Sequence, residues 1–93
     1  MSKFEKLVFK LLSGNADKGF DFSELVRILE TYDFKLRTKG SHHIFHKEGI
    51  PEIINLQQGE SGKAKPYQVK QVRELLIKHK IVQQKEEDDE SQI

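Results

Sequence analysis

Three of the chain's four histidines fall in one short run, Gly40-Ser41-His42-His43-Ile44-Phe45-His46. An imidazole with an ordinary pKa of about 6.5 takes up and releases protons near neutrality, so it serves as a general acid or base. If the run is a strand, successive side chains alternate: His42 and His46 share one face, and His43 shares the other with Phe45. Arg37 and Lys39 stand just across the glycine-serine turn from His42. Histidine flanked by cations suits cleavage of RNA by attack of a ribose 2′-hydroxyl on the adjacent phosphate. That reaction needs a base, an acid and positive charge on the phosphorane, and no cofactor. Two other readings stay open at this point. The histidines could ligate a metal, although on a regular strand His43 points away from the other two and no carboxylate stands at a matching spacing. They could also be ordinary strand residues beside a turn. His79 lies on the apolar side of the last helix and reads as structural.

Other chemistries lack their residues. The chain has no cysteine, which excludes disulfides, thiolate metal sites and a cysteine nucleophile. Gly59-Glu60-Ser61-Gly62 lacks the lysine-hydroxyl pair of a nucleotide-binding loop. The carboxylates of the body are scattered, without a pair placed for glycoside or two-metal chemistry. The strands carry too few aromatics for a base-stacking platform.

The elements that must position His42 follow from periodicity. The chain has 93 residues, 35% hydrophobic and 33% charged, so one small domain with a modest core is expected. Phe4, Leu7, Val8 and Leu11 mark one face of a first helix. Ser13-Gly14-Asn15 and Gly19 break the pattern. Asp21 N-caps a second helix, with Glu24 completing a capping box and Phe22, Leu25, Leu29 and Tyr32 forming its stripe. Phe34, Leu36 and Thr38 then alternate with Lys35, Arg37 and Lys39, which predicts a half-buried strand with a basic outer face. Gly40-Ser41 is a tight turn, His42 to Lys47 a second strand and Glu52 to Gln57 a third, connected through Gly49-Ile50-Pro51. After a loop over 58–65, Pro66 opens a closing helix whose stripe is Val69, Val72, Leu75 and Leu76. Residues 83–93 are polar and acidic without periodicity, which predicts a disordered tail. The fold class is α+β: a two-layer sandwich in the order α-α-β-β-β-α, with helices on one face of a three-stranded antiparallel sheet and the other face open. The expected organisation is an added helix and link over 1–20, a core domain over 21–82, and the acidic tail.

Charge and hydropathy narrow the partners. The formal net charge is +1, but the five consecutive acids at 86–90 mask a basic body. Between Lys35 and Lys80 there are ten Lys and Arg against four Glu. Lys35, Arg37, Lys39, Lys63 and Lys65 are candidates for phosphate contact. No apolar run approaches the roughly 20 residues that span a bilayer, and the first residues do not read as a signal peptide. A cytoplasmic protein with no membrane partner is expected, and its oligomeric state is left open.

The run Phe34-Lys35-Leu36-Arg37-Thr38-Lys39-Gly40-Ser41-His42-His43-Ile44-Phe45 closely resembles the motif of the HicA toxins: a hydrophobic residue, basic residues, Gly-Ser-His and a hydrophobic or aromatic pair. The preceding helix with Leu25 and Leu29, and the closing helix entered through Lys65-Pro66, fit the same order. The resemblance covers about residues 21–82. It implies a fold like that of double-stranded-RNA-binding domains. It also implies metal-independent cleavage of mRNA, as the toxin of a toxin–antitoxin pair, and a HicB-like antitoxin protein as partner. By this resemblance His42 is the catalytic histidine, and Gly40 and Ser41 are the turn and positioning residues. The alternative on the same fold is a non-catalytic RNA-binding module.

Overall fold

The computed structural model describes residues 2–82; the acidic segment 83–93, expected to be disordered, lies outside them. The elements are α1 (Lys3–Ser13), α2 (Phe22–Thr31), β1 (Lys35–Lys39), β2 (His42–Lys47), β3 (Ile50–Gln57) and α3 (Pro66–Lys78), the α-α-β-β-β-α order that the periodicities predict. Single 3-10 turns stand at Asp17–Gly19 and Glu60–Gly62. Among the described residues no helix is long and apolar enough to cross a membrane.

Local chemistry sets where the helices begin and end. Ser2 and Glu5 cap α1 reciprocally: the Ser2 hydroxyl accepts the Glu5 N–H at 3.0 Å, and the Glu5 carboxylate accepts the Ser2 N–H at 2.9 Å. Gly14, with φ of +74°, ends that helix in the left-handed conformation and donates its N–H to the Leu11 carbonyl. At α2 the Glu24 carboxylate accepts the Asp21 N–H at 3.4 Å. The apolar stripes of the three helices meet in one core. Leu11, Leu25, Ile28, Leu29, Val69, Val72 and Leu76 are fully buried, and Leu7 nearly so. The α1 stripe therefore packs inside its own chain, against α2 and α3, with Phe4 meeting Tyr32 edge to face at 5.6 Å.

Arg73 of α3 completes that docking. Its guanidinium donates to both carboxylate oxygens of Asp17, at 3.0 and 3.2 Å, and to the Leu11 carbonyl at 3.1 Å. A planar fork matches a carboxylate in this way, so one residue ties the α1–α2 link to the closing helix.

The strands form an antiparallel meander, β1-β2-β3, with β2 in the centre. Phe45, Ile54 and Leu56 face the helices and are fully buried, whereas His42, His46, Ile53 and Asn55 on the opposite face are exposed. One expectation fails at β1. The strand is not half-buried: all five residues are exposed, and the inward-facing Leu36 keeps 36% of its surface. At the sheet edge the helix layer does not reach past Phe34, which is buried. β3 also starts earlier than expected, at Ile50, and takes in Pro51. A proline fits there because an edge strand can spare an N–H.

Candidate active site on the open sheet face

His42 begins β2 directly after the two-residue turn Gly40-Ser41. Gly40 carries a φ of +61° and Ser41 does not share the positive sign, the pattern of a type II′ hairpin turn with glycine first. A Cβ at Gly40 would meet nothing within 4 Å, so conformation rather than space requires the glycine.

The register then assembles the face. Lys39 pairs with His42, Arg37 with Ile44 and Lys35 with His46. On the other side His42 pairs with Gln57 and Ile44 with Asn55. Paired residues share a face, so Lys35, Arg37 and Lys39 form a row of cations alongside His42, Ile44 and His46. His43 points to the helix layer, where its ring meets Phe22 edge to face at 4.9 Å. Its Nδ1 is the one buried side-chain nitrogen or oxygen without a hydrogen-bond partner among the described residues.

The His42 ring is oriented by a residue that sequence reasoning missed. Its Nδ1 lies 3.0 Å from the Asn55 carboxamide oxygen, which can only accept. Nδ1 therefore carries the proton, and in the neutral ring Nε2 is left as a lone-pair nitrogen free for a base's work. Beside it, Gln57 donates through Nε2 to the Ser41 hydroxyl at 3.0 Å, and Lys65 Nζ reaches Gln57 Oε1 at 3.4 Å. The buried Gln68 accepts the Gln57 backbone N–H at 3.2 Å and fixes this end of β3 on α3. A signal was present in the sequence: Asn55 and Gln57 are the polar members of the alternation Ile54-Asn55-Leu56-Gln57.

Of the five cations expected to meet phosphate, Lys35, Arg37 and Lys39 line the open face and Lys65 stands at its His42 end. Lys63 is engaged elsewhere. Its Nζ meets Asp21 at 2.6 Å, a contact that holds the Asp21 carboxyl below its ordinary range and pushes Lys63 up. His79 caps α3 and meets Glu52 at 2.7 Å, binding β3 to the helix layer. His46 is on the His42 face, but four strand residues on, about 13 Å away. It lines an open depression of about 770 Å³ with Arg37, Ile44 and Ile53, and His42 is outside it. Among the described residues no group of three His, Asp or Glu side chains is placed to hold a metal ion.

A family model described as the HicA toxin of bacterial toxin–antitoxin systems matches residues 22–79. The matched segment runs from the start of α2 to the cap of α3, so it includes Gly40, Ser41 and His42 and leaves α1 outside. No curated protein and no solved structure matches the chain.

Proposed function

This chain belongs to the HicA toxin family of bacterial toxin–antitoxin systems, and we propose that it is an endoribonuclease that cleaves mRNA with His42 as its general base and acid. The observation that carries the reading is the His42–Asn55 hydrogen bond, which leaves Nε2 of an exposed imidazole unengaged beside a row of cations. Nε2 takes the proton of a ribose 2′-hydroxyl, and that oxygen attacks the neighbouring phosphorus. The bond from phosphorus to the 5′-oxygen breaks, the proton passes to that leaving oxygen, and a 2′,3′-cyclic phosphate remains. Lys39, directly across from His42, is placed to offset the charge that builds on the phosphorane. Gly40 and Ser41 hold the ring at the strand end. Lys35, Arg37 and Lys65 hold the flanking phosphates, and Lys63 serves RNA only by exchanging its contact with Asp21.

A toxin of this family works opposite an antitoxin, and a HicB-like protein is the partner proposed. The test is incubation of the purified chain with total RNA in excess chelator, beside His42→Ala. Cleavage by the wild type and none by a folded His42→Ala is the expected result. RNA that is shifted in a gel yet intact with both proteins would make the chain a binding module instead. Cleavage by His42→Ala would remove His42 from the mechanism.

A further inference from the structure

The open face holds a feature that the chemistry at His42 does not use. The depression at the far end of β2 has an apolar floor of Ile44 and Ile53, the latter 62% exposed, flanked by Arg37 and the imidazole of His46. An isoleucine so exposed in the middle of a strand gains nothing from water and has no helix above it. Its rim carries Lys35, Arg37 and Lys47 beside Asp33 and Glu48, so the carboxylates offset part of the positive charge there. A phosphate is drawn to the cations of β1 at the edge of the hollow, and the isoleucine floor offers it no partner. A flat, uncharged, partly apolar group suits the hollow: it can lie on the isoleucines and stack on a guanidinium or imidazole plane.

Resting on the nuclease reading above, we propose that this depression is a nucleobase subsite, which receives a base of the single-stranded RNA flanking the scissile phosphate. Charge complementarity commits the occupant. Lys35, Arg37 and Lys39 alternate along β1, spaced by about 6.7 Å, and draw a phosphate backbone along the edge of the face. A strand held on that row with its reacting ribose at His42 brings a base over Ile44 and Ile53 about two nucleotides further on. The site thus selects single strands, whose bases can turn toward the sheet, over duplexes, whose bases are already paired.

Methyl NMR on the full chain with labelled isoleucines tests this. The probes are a short 2′-O-methyl oligonucleotide, which cannot undergo 2′-attack, and an abasic strand of equal length. The oligonucleotide is expected to move the Ile44 and Ile53 methyls and the β1 amides, and the abasic strand only the amides. Ile53→Ser, a change at an exposed position, should weaken the base-bearing strand roughly tenfold and leave the abasic strand unaffected. Methyls that stay silent while the amides move would overturn the subsite. So would methyls that respond equally to the abasic strand, or that respond only to raised protein concentration, the mark of a second copy on this face. Cleavage of ordinary RNA is scored separately. Responsive methyls without cleavage leave the subsite standing and remove the nuclease; cleavage with silent methyls does the reverse. Silence of amides and methyls together removes RNA from this face altogether.

Discussion

Asn55→Ala separates a histidine that merely sits on the surface from one that is oriented for catalysis. The substitution removes one neutral hydrogen bond, 3.0 Å long and exposed to water, and touches no part of the core. Such a bond contributes about 0.5–1.5 kcal/mol net, and exposure places this one in the lower part of that range. At 1.4 kcal/mol per factor of ten, the freed ring loses roughly three- to fivefold in kcat as it populates the wrong tautomer and other rotamers. KM should stay within about twofold, because the carboxamide holds the imidazole and not the substrate. Single-turnover cleavage of a fluorescent RNA in chelator measures both.

Two further variants give the effect a cause. In a His42→Ala background, Asn55→Ala should cost no further thermal stability, since the bond between the two is already gone. Asn55→Asp sets a carboxylate against the same nitrogen, favours the charged ring, and should move the acid limb of the pH–rate profile to higher pH. The reasoning fails if Asn55→Ala leaves kcat unchanged across pH. It also fails if activity drops by orders of magnitude with no loss of thermal stability, because Asn55 would then contact the reacting groups itself.

Three other outcomes follow from the packing. Arg73→Ala leaves Asp17 and the Leu11 carbonyl without their donor in a pair whose side chains keep only 14% and 20% exposure; a loss of about 2–3 kcal/mol is expected, read as a fall in melting temperature of roughly 10 °C or more. His43→Phe keeps the ring against Phe22 and removes the unpartnered buried Nδ1, so chemical denaturation should show a gain of about 1 kcal/mol with cleavage unchanged. Glu52 is held down to about 2 by the Lys78 ammonium, then by His79. A carboxyl whose folded pKa is depressed contributes stability above its ordinary range and loses it as pH falls toward the folded value. Glu52→Gln should therefore melt below the wild type near neutrality, and the gap should close from about pH 5 down to 2. A gap that stays constant over that span would mean that the carboxylate is not held by its charged partners.

What could be read from the residues was mainly local. The period of two in His42 to His46 is enough to divide His42 from His43, and the period of 3.6 marks the stripes whose leucines and valines fill the core. Contacts between distant segments carry no such signal. Arg73 and Asp17 are 56 positions apart, and either alone is an ordinary charged surface residue. Asn55 meets His42 only through the pairing of β3 with β2, whose register shifts between Phe45 and Lys47 and sets His42 opposite Gln57 and Ile44 opposite Asn55. Lys63 had the charge expected of a phosphate contact, but Asp21, 42 positions earlier, takes it.

The failure at β1 has the same origin, and it bears on the site. Alternation says which residues share a face; it does not say whether a helix covers that face. Because β1 is an edge strand with an uncovered inner side, Leu36 adds little burial, and pairing with β2 holds the strand in place. An edge of this kind invites a strand from another molecule, and charged side chains are a usual defence. Lys35, Arg37 and Lys39 therefore carry two roles that the sequence cannot separate: they discourage edge-to-edge pairing, and they set positive charge beside His42. Charge-neutral replacement tells the roles apart. Lys39→Gln, the change nearest His42, should lower RNA cleavage and flatten its salt dependence while the light-scattering mass stays that of the wild type. If replacing Lys39 produces aggregation with cleavage intact, its charge protects the edge, and the charge on the phosphorane has to be met by another group on the face.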